Sequence, residues 1–96
     1  MASRQRKAYC RKLLLAHIVS TARHDLRSLE ACTGMPRRTL QDSLADLGDI
    51  GIACTFVQDG PKNNHGFYRI EDWGDHDPAW IAANVELLAR EISGPD

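Results

Sequence analysis

Polar side chains able to read base edges crowd one short stretch of this 96-residue chain: Arg37, Arg38, Thr39, Gln41 and Asp42, directly after Pro36. An arginine can pair bidentately with guanine O6 and N7, a glutamine can pair with adenine, and an aspartate can accept from cytosine N4. Leu40, Leu44 and Leu47 recur through the same stretch with the spacing of one stripe of a helix. With Leu40 taken as inward and about 100° per residue, Arg38, Asp42 and Ala45 point away from the core. Thr39 and Gln41 flank that outer face, and Arg37 sits nearer its edge. The plainer reading of these residues is a solvated Arg38–Asp42 ion pair worth a few tenths of a kcal/mol.

A helix reads DNA only if something holds it proud of a core. The residues before it supply that something. Leu26 and Leu29 give a preceding helix its apolar side, with Cys32 beside Leu29, and Asp25 is a suitable N-cap. Gly34 sits where the chain leaves that helix, a place that often needs positive φ, and Pro36 suits the first turn of the next. Residues 26–47 therefore predict a helix-turn-helix, whose second helix, 36–47, can lie in the major groove.

Further upstream, residues 4 to about 21 predict a first helix, with a stripe of Cys10, Leu14 and Ile18 and a hydrogen-bonded His17 beside it. Leu13, Leu15 and Val19 widen its apolar surface beyond one side. Downstream, Gly48 is the expected helix terminator, and the periodicity then changes to 2. Ile50, Ile52, Cys54 and Phe56 share one face of a strand, followed by the turn formers 59–66 and a second strand from Phe67 to about Glu71. The pair 50–71 predicts a hairpin with Lys62, Asn63, Asn64 and His65 at its tip. Trp73 is expected over an end of the core, and Asp77-Pro78 starts a last helix, 78–92, with an inner stripe of Ile81, Val85, Leu88 and Ile92. Trp80, Ala83 and Leu87 form a second apolar stripe on it. With Leu15 and Val19, they suggest the contact of a homodimer, unless Trp80 folds back on its own hairpin.

Composition bounds the function classes. The chain has an ordinary soluble balance of 43% hydrophobic and 26% charged residues, enough for a single domain over 1–96. The net charge of -1 conceals an asymmetry: residues 1–40 carry nine Lys or Arg against two acids, and 41–96 carry three against eleven. That predicts a basic side containing the start of the recognition helix, as phosphate binding requires, or two halves that attract each other. The three cysteines are widely spaced without a CxxC pair, which reads as reduced thiols in a cytoplasmic protein and not as a metal centre. The short apolar run after the basic N-terminus lacks the length and cleavage pattern of a leader, and nothing reaches transmembrane length. No nucleophile-and-base constellation, cofactor motif or effector pocket is legible, so no enzyme is expected.

These readings converge on a mainly α fold with a small antiparallel hairpin: a winged helix. The runs Thr33–Gln41, Gln58–Gly66 and Phe67–Gly74 resemble small stand-alone bacterial winged helix-turn-helix proteins, over roughly residues 10–92. The resemblance implies a winged-helix fold and a role in transcriptional regulation, and supplies no ligand or catalytic residue. One departure is Glu30, at a place where many helix-turn-helix units have Ala packed between the helices. The expected function is sequence-specific binding of double-stranded DNA. Arg38, Gln41 and Thr39 would meet bases, Asp42 would accept from cytosine or orient Arg38, and Arg37, Arg27, Lys62 and His65 would hold phosphates. The alternative is a protein-interaction module that docks through its acidic half and Trp80.

Overall fold

The computed structural model describes residues 3–62 and 65–93. Its central element is α1 (Arg4–Thr21), started by Ser3, whose hydroxyl accepts from the Arg6 N–H at 3.1 Å. Cys10, Leu13, Leu15, Ala16 and Val19 of α1 are buried, whereas Leu14 and Ile18 are only half-buried. The expected stripe is thus rotated and broadened. The reason is that α1 is enclosed on several sides, by α3 (Arg37–Ala45), α4 (Pro78–Ala83), α5 (Val85–Ser93) and β2 (Gly66–Asp72). Leu15 and Val19, expected at a subunit contact, are spent here: they are 0% and 4% exposed in the chain's own core. His17 is half-buried, and its ring makes no hydrogen bond among the described residues.

The start of α2 (Leu26–Thr33) is fixed by a reciprocal cap. Ser28 N–H donates to Asp25 Oδ1 at 2.9 Å, and Asp25 N–H donates to Ser28 Oγ at 3.0 Å. The Ser28 backbone donor is the main reason the Asp25 carboxyl is held below its ordinary pKa. A carboxyl depressed in the folded state stabilises the fold above its unfolded value of about 3.9, and that contribution is lost as pH falls through the folded pKa. Asp25→Ala should cost about 1 kcal/mol at neutral pH, and the variant's stability should fall less steeply on acidification below about pH 4. Urea denaturation at neutral and acid pH measures both.

Gly34 takes φ 74°, as expected, and its N–H closes on the Glu30 carbonyl at 2.9 Å. Pro36 stands just before α3, not inside its first turn, and offers its carbonyl to Leu40 N–H at 3.1 Å. The recognition helix is shorter than expected. It is regular over Arg37–Ala45 and tightens into a 3₁₀ turn, Asp46–Ile50, which ends at Gly51 with φ 84° and not at Gly48. The tighter turn keeps Leu47 in the core and brings Ile50 against it before Ile52 enters the hairpin.

Strands β1 (Ala53–Gln58) and β2 pair antiparallel, with Cys54 opposite Ile70 and Phe56 opposite Tyr68. Burial along the shared face falls from Ile52 at 1% exposed, through half-buried Cys54, to Phe56 at 38%. The even positions do share a face, but the hairpin outruns the core, so Phe56 is not packed on the helices. Partway along it, Tyr68 N–H donates to the His24 carbonyl at 2.9 Å, joining β2 to the connection before α2.

The chain returns through a turn in which Gly74 takes φ 63°, because any Cβ there would collide with the Gly51 carbonyl. Trp73 is half-buried against the core, as expected. Asp77 caps α4 by accepting from Ala79 N–H at 2.9 Å, with Pro78 at the first helical position. The single helix expected over 78–92 is broken at Asn84, whose side chain donates to the Trp80 carbonyl at 2.7 Å. That carbonyl would take the Asn84 N–H in an uninterrupted helix, and the N–H turns instead to Ile81. The inner stripe survives the break: Ile81 and Leu88 are buried, and Val85 and Ile92 are half-buried.

Candidate nucleic-acid interface

The exposed face of α3 matches its helical wheel. The Arg38 side chain is 91% exposed, with its Nε 3.9 Å from Asp42 Oδ2, so the expected surface ion pair forms and leaves the guanidinium open to solvent. Gln41 and Ala45 are exposed beside it, and Thr39 is half-buried toward α1. Arg37 turns the other way and donates through Nε to Glu30 Oε1 at 2.8 Å. Glu30 therefore does not sit as a plug between α2 and α3. It is a half-buried carboxylate bridging them through Arg37, in place of the small-residue contact of many helix-turn-helix units.

Arg27 and Arg37 on the helix side, with Lys62 and His65 on the hairpin side, line one open groove of roughly 770 Å³. All four had been expected to hold phosphates, and the fold brings them together from three separate segments. Phe56 and Tyr68 form part of the groove wall, ring centroids 5.1 Å apart and edge to face. Neither was expected there, because the alternation that identifies the strand says nothing about where the core stops. Asp25, the one acid in the lining, is already engaged by Ser28. Asn63 and Asn64 lie outside the described residues.

The wing loop is braced from within: Gln58 Nε2 donates to the Gly60 and Lys62 carbonyls, and His65 N–H to the Lys62 carbonyl at 3.0 Å. Its outer side is held by Arg23, 4.4 Å above the Phe67 ring and 3.8 Å from Asp59. The sequence gives no warning of that arginine's role, which depends on an extended segment after α1 running beside β2.

On α4 and α5 the second apolar stripe is present. Trp80 is 48% exposed, Leu87 38%, and Ala83 is exposed with them. Of the three free thiols, Cys32 is exposed, contrary to the stripe it was expected to share with Leu29. Burial raises the Cys10 and Cys54 thiols above their ordinary pKa, so both stay protonated at neutral pH. Among the described residues no group of three or more His, Cys, Asp or Glu is placed to hold a metal ion, and no helix is long and apolar enough to cross a membrane.

A helix α3 packed by one face on α1 and α2 and exposed on the other, beside a two-stranded wing, defines a winged helix-turn-helix protein, a DNA-binding fold. The comparison with known families agrees: a family described as winged helix-turn helix matches residues 4–92, and the chain belongs to it. The chain is also similar to a crystal structure of a DUF2131 family protein from Shewanella amazonensis SB2B. The two are 49% identical, with a TM-score of 0.89, over 100% of this chain and 93% of that one. No curated protein matches the chain.

The Glu30 bridge makes a test of the groove. Glu30→Gln should free Arg37 for phosphate, tighten DNA binding severalfold and steepen its salt dependence by about half a unit of slope. Electrophoretic mobility shifts across a salt series measure both.

Proposed function

We propose that the protein is a sequence-specific, double-stranded DNA-binding transcriptional regulator that works as a cytoplasmic homodimer. The observation that carries this reading is the groove that gathers Arg27, Arg37, Lys62 and His65 beside a fully presented Arg38. Phosphate contacts set the register of a protein on the duplex, and base contacts set its sequence preference. In this assignment the groove cations follow the backbone, and Asn63 and Asn64 are assigned to it with them. Arg38 and Gln41 reach base edges, and Asp42 accepts from cytosine or holds Arg38 in place. Thr39, turned toward α1, is withdrawn from the base-reading set.

Trp80, Ala83 and Leu87 supply the dimer contact in this reading. A two-fold dimer presents two recognition helices to an inverted repeat, with half-sites about one helical turn apart or a multiple of it. Random-site selection with the purified protein, beside a mass measurement in solution, tests the whole. An inverted repeat and a dimer mass are expected, and the absence of any enriched sequence overturns the reading.

The half-exposed Trp80 also favours a second reading, a module that binds another protein through the same stripe. That reading gains if a variant lacking the charges of Arg37, Arg38 and Lys62 keeps a partner while losing nothing measurable on DNA.

A further inference from the structure

An α-helix with its side chains is about 10–12 Å across and the major groove is about 12 Å wide. A helix seated there therefore meets phosphates on both flanks. The assignment above accounts for one flank of α3, toward the wing. The other flank is an open channel of roughly 220 Å³ between α1 and α3, lined by Arg11 and Lys12 from one side and Thr39, Asp42, Ser43 and Asp46 from the other.

Two observations show that this channel is prepared for something the chain itself does not supply. Arg11 and Lys12 face two carboxylates, yet neither closes an ion pair among the described residues. Ser43 is the one buried polar residue among those described, at 8% exposed, and its hydroxyl has no hydrogen-bond partner there. That hydroxyl is not sealed from solvent. It opens on the channel. A helical serine usually returns its proton to a carbonyl one turn back, as Ser93 does to Ala89 at 3.0 Å. Ser43 does not. Asp42 leans to Arg38 at 3.9 Å, which leaves two cations against one uncompensated carboxylate, Asp46.

The geometry points to a second backbone-binding surface. We infer that the α1–α3 channel receives the phosphodiester backbone of the DNA strand opposite the one reached from the wing. Arg11 and Lys12 supply the charge, and the Ser43 and Thr39 hydroxyls donate to phosphate oxygens. This inference rests on the DNA-binding reading and extends it. Carboxylates on α3 would repel phosphates approaching along this flank, but Asp42 and Asp46 lie beside two cations placed to screen them.

The test is binding of a mixed-sequence duplex across a salt series by the wild type and by Arg11→Gln/Lys12→Gln, which keeps much of the side-chain bulk. The double variant should flatten the slope of log affinity against log salt by about two, with the base preference in random-site selection unchanged. Ser43→Ala should bind about three- to tenfold more weakly with the slope intact, and Asp46→Asn should bind severalfold more tightly. Thermal melts of each variant separate loss of binding from loss of fold, and Arg11→Lys/Lys12→Arg should restore the wild-type slope. Inorganic phosphate at millimolar concentration should not displace the duplex beyond its ionic-strength effect. If it does so through these residues, the channel is a free-anion site and the inference fails. A wild type that binds no DNA overturns both readings. A wild type that binds, with an unchanged slope in the folded double variant or undiminished binding by Ser43→Ala, overturns this one alone.

Discussion

Arg38→Ala should erase discrimination at one base pair of each half-site while leaving binding to mixed-sequence DNA nearly intact. A bidentate arginine contact is worth about 1–3 kcal/mol of discrimination, or roughly five- to 150-fold at that position. The side chain is 91% exposed and its neighbour Asp42 is 3.9 Å away, so its removal leaves no buried group stranded and should not disturb the fold. The contrasting variant is Arg27→Ala/Arg37→Ala/Lys62→Ala. It should weaken binding to every sequence alike and flatten the salt slope by between two and three units, less than three because Glu30 already half-neutralises Arg37. Selection on random sites with each variant, paired with a salt series, separates the two effects. If Arg38→Ala retains the full preference, then α3 does not read that position and the assignment of its outer face is wrong.

Trp80→Glu should turn the proposed dimer into a monomer. An interfacial tryptophan commonly contributes at least about 2 kcal/mol. A two-fold contact loses it twice, so the dissociation constant should rise by about a thousandfold before the added charge repulsion is counted. The folded monomer should tolerate the change, because Trp80 is already 48% exposed and its carbonyl, not its ring, holds the Asn84 side chain. Sedimentation equilibrium reads the mass directly. On DNA, the variant should still contact a half-site but lose the tighter binding of an inverted repeat. An unchanged mass would place any self-association elsewhere, and would move Trp80 to the second reading.

Much of this architecture is legible in the chain. The Asp25 cap, the Gly34 turn and the Asp77-Pro78 helix start are each decided by nearest neighbours and are found where the pattern puts them, whereas the end of the leucine stripe and the start of the strand after Ile50 are shifted by the 3₁₀ turn Asp46–Ile50. What the sequence misplaced depends on the third dimension. Leu15 and Val19 look like spare apolar surface until α1 is seen to be enclosed by α3, α4, α5, β2 and the 3₁₀ turn. Phe56 follows the alternation of its strand faithfully, but alternation does not reveal that the hairpin overhangs the core. Asn84 competes for a carbonyl one turn back, a local effect that an unbroken hydrophobic stripe concealed. The site divides in the same way. Outward positions on α3 follow from helical geometry alone, whereas the gathering of Arg27, Arg37, Lys62 and His65, and of Arg11 with Ser43, needs contacts between distant segments.

The bond from Tyr68 to the His24 carbonyl fastens the hairpin beside the cap that starts α2. The wing is thereby pinned to the start of the helix-turn-helix, like a caliper locked before measuring. In the proposed function, duplexes whose groove widths already match that setting bind without deformation, and stiff or mismatched ones must be bent to fit. Nucleotides lying between the jaws, untouched by any side chain, should therefore influence affinity through the flexibility they lend the double helix.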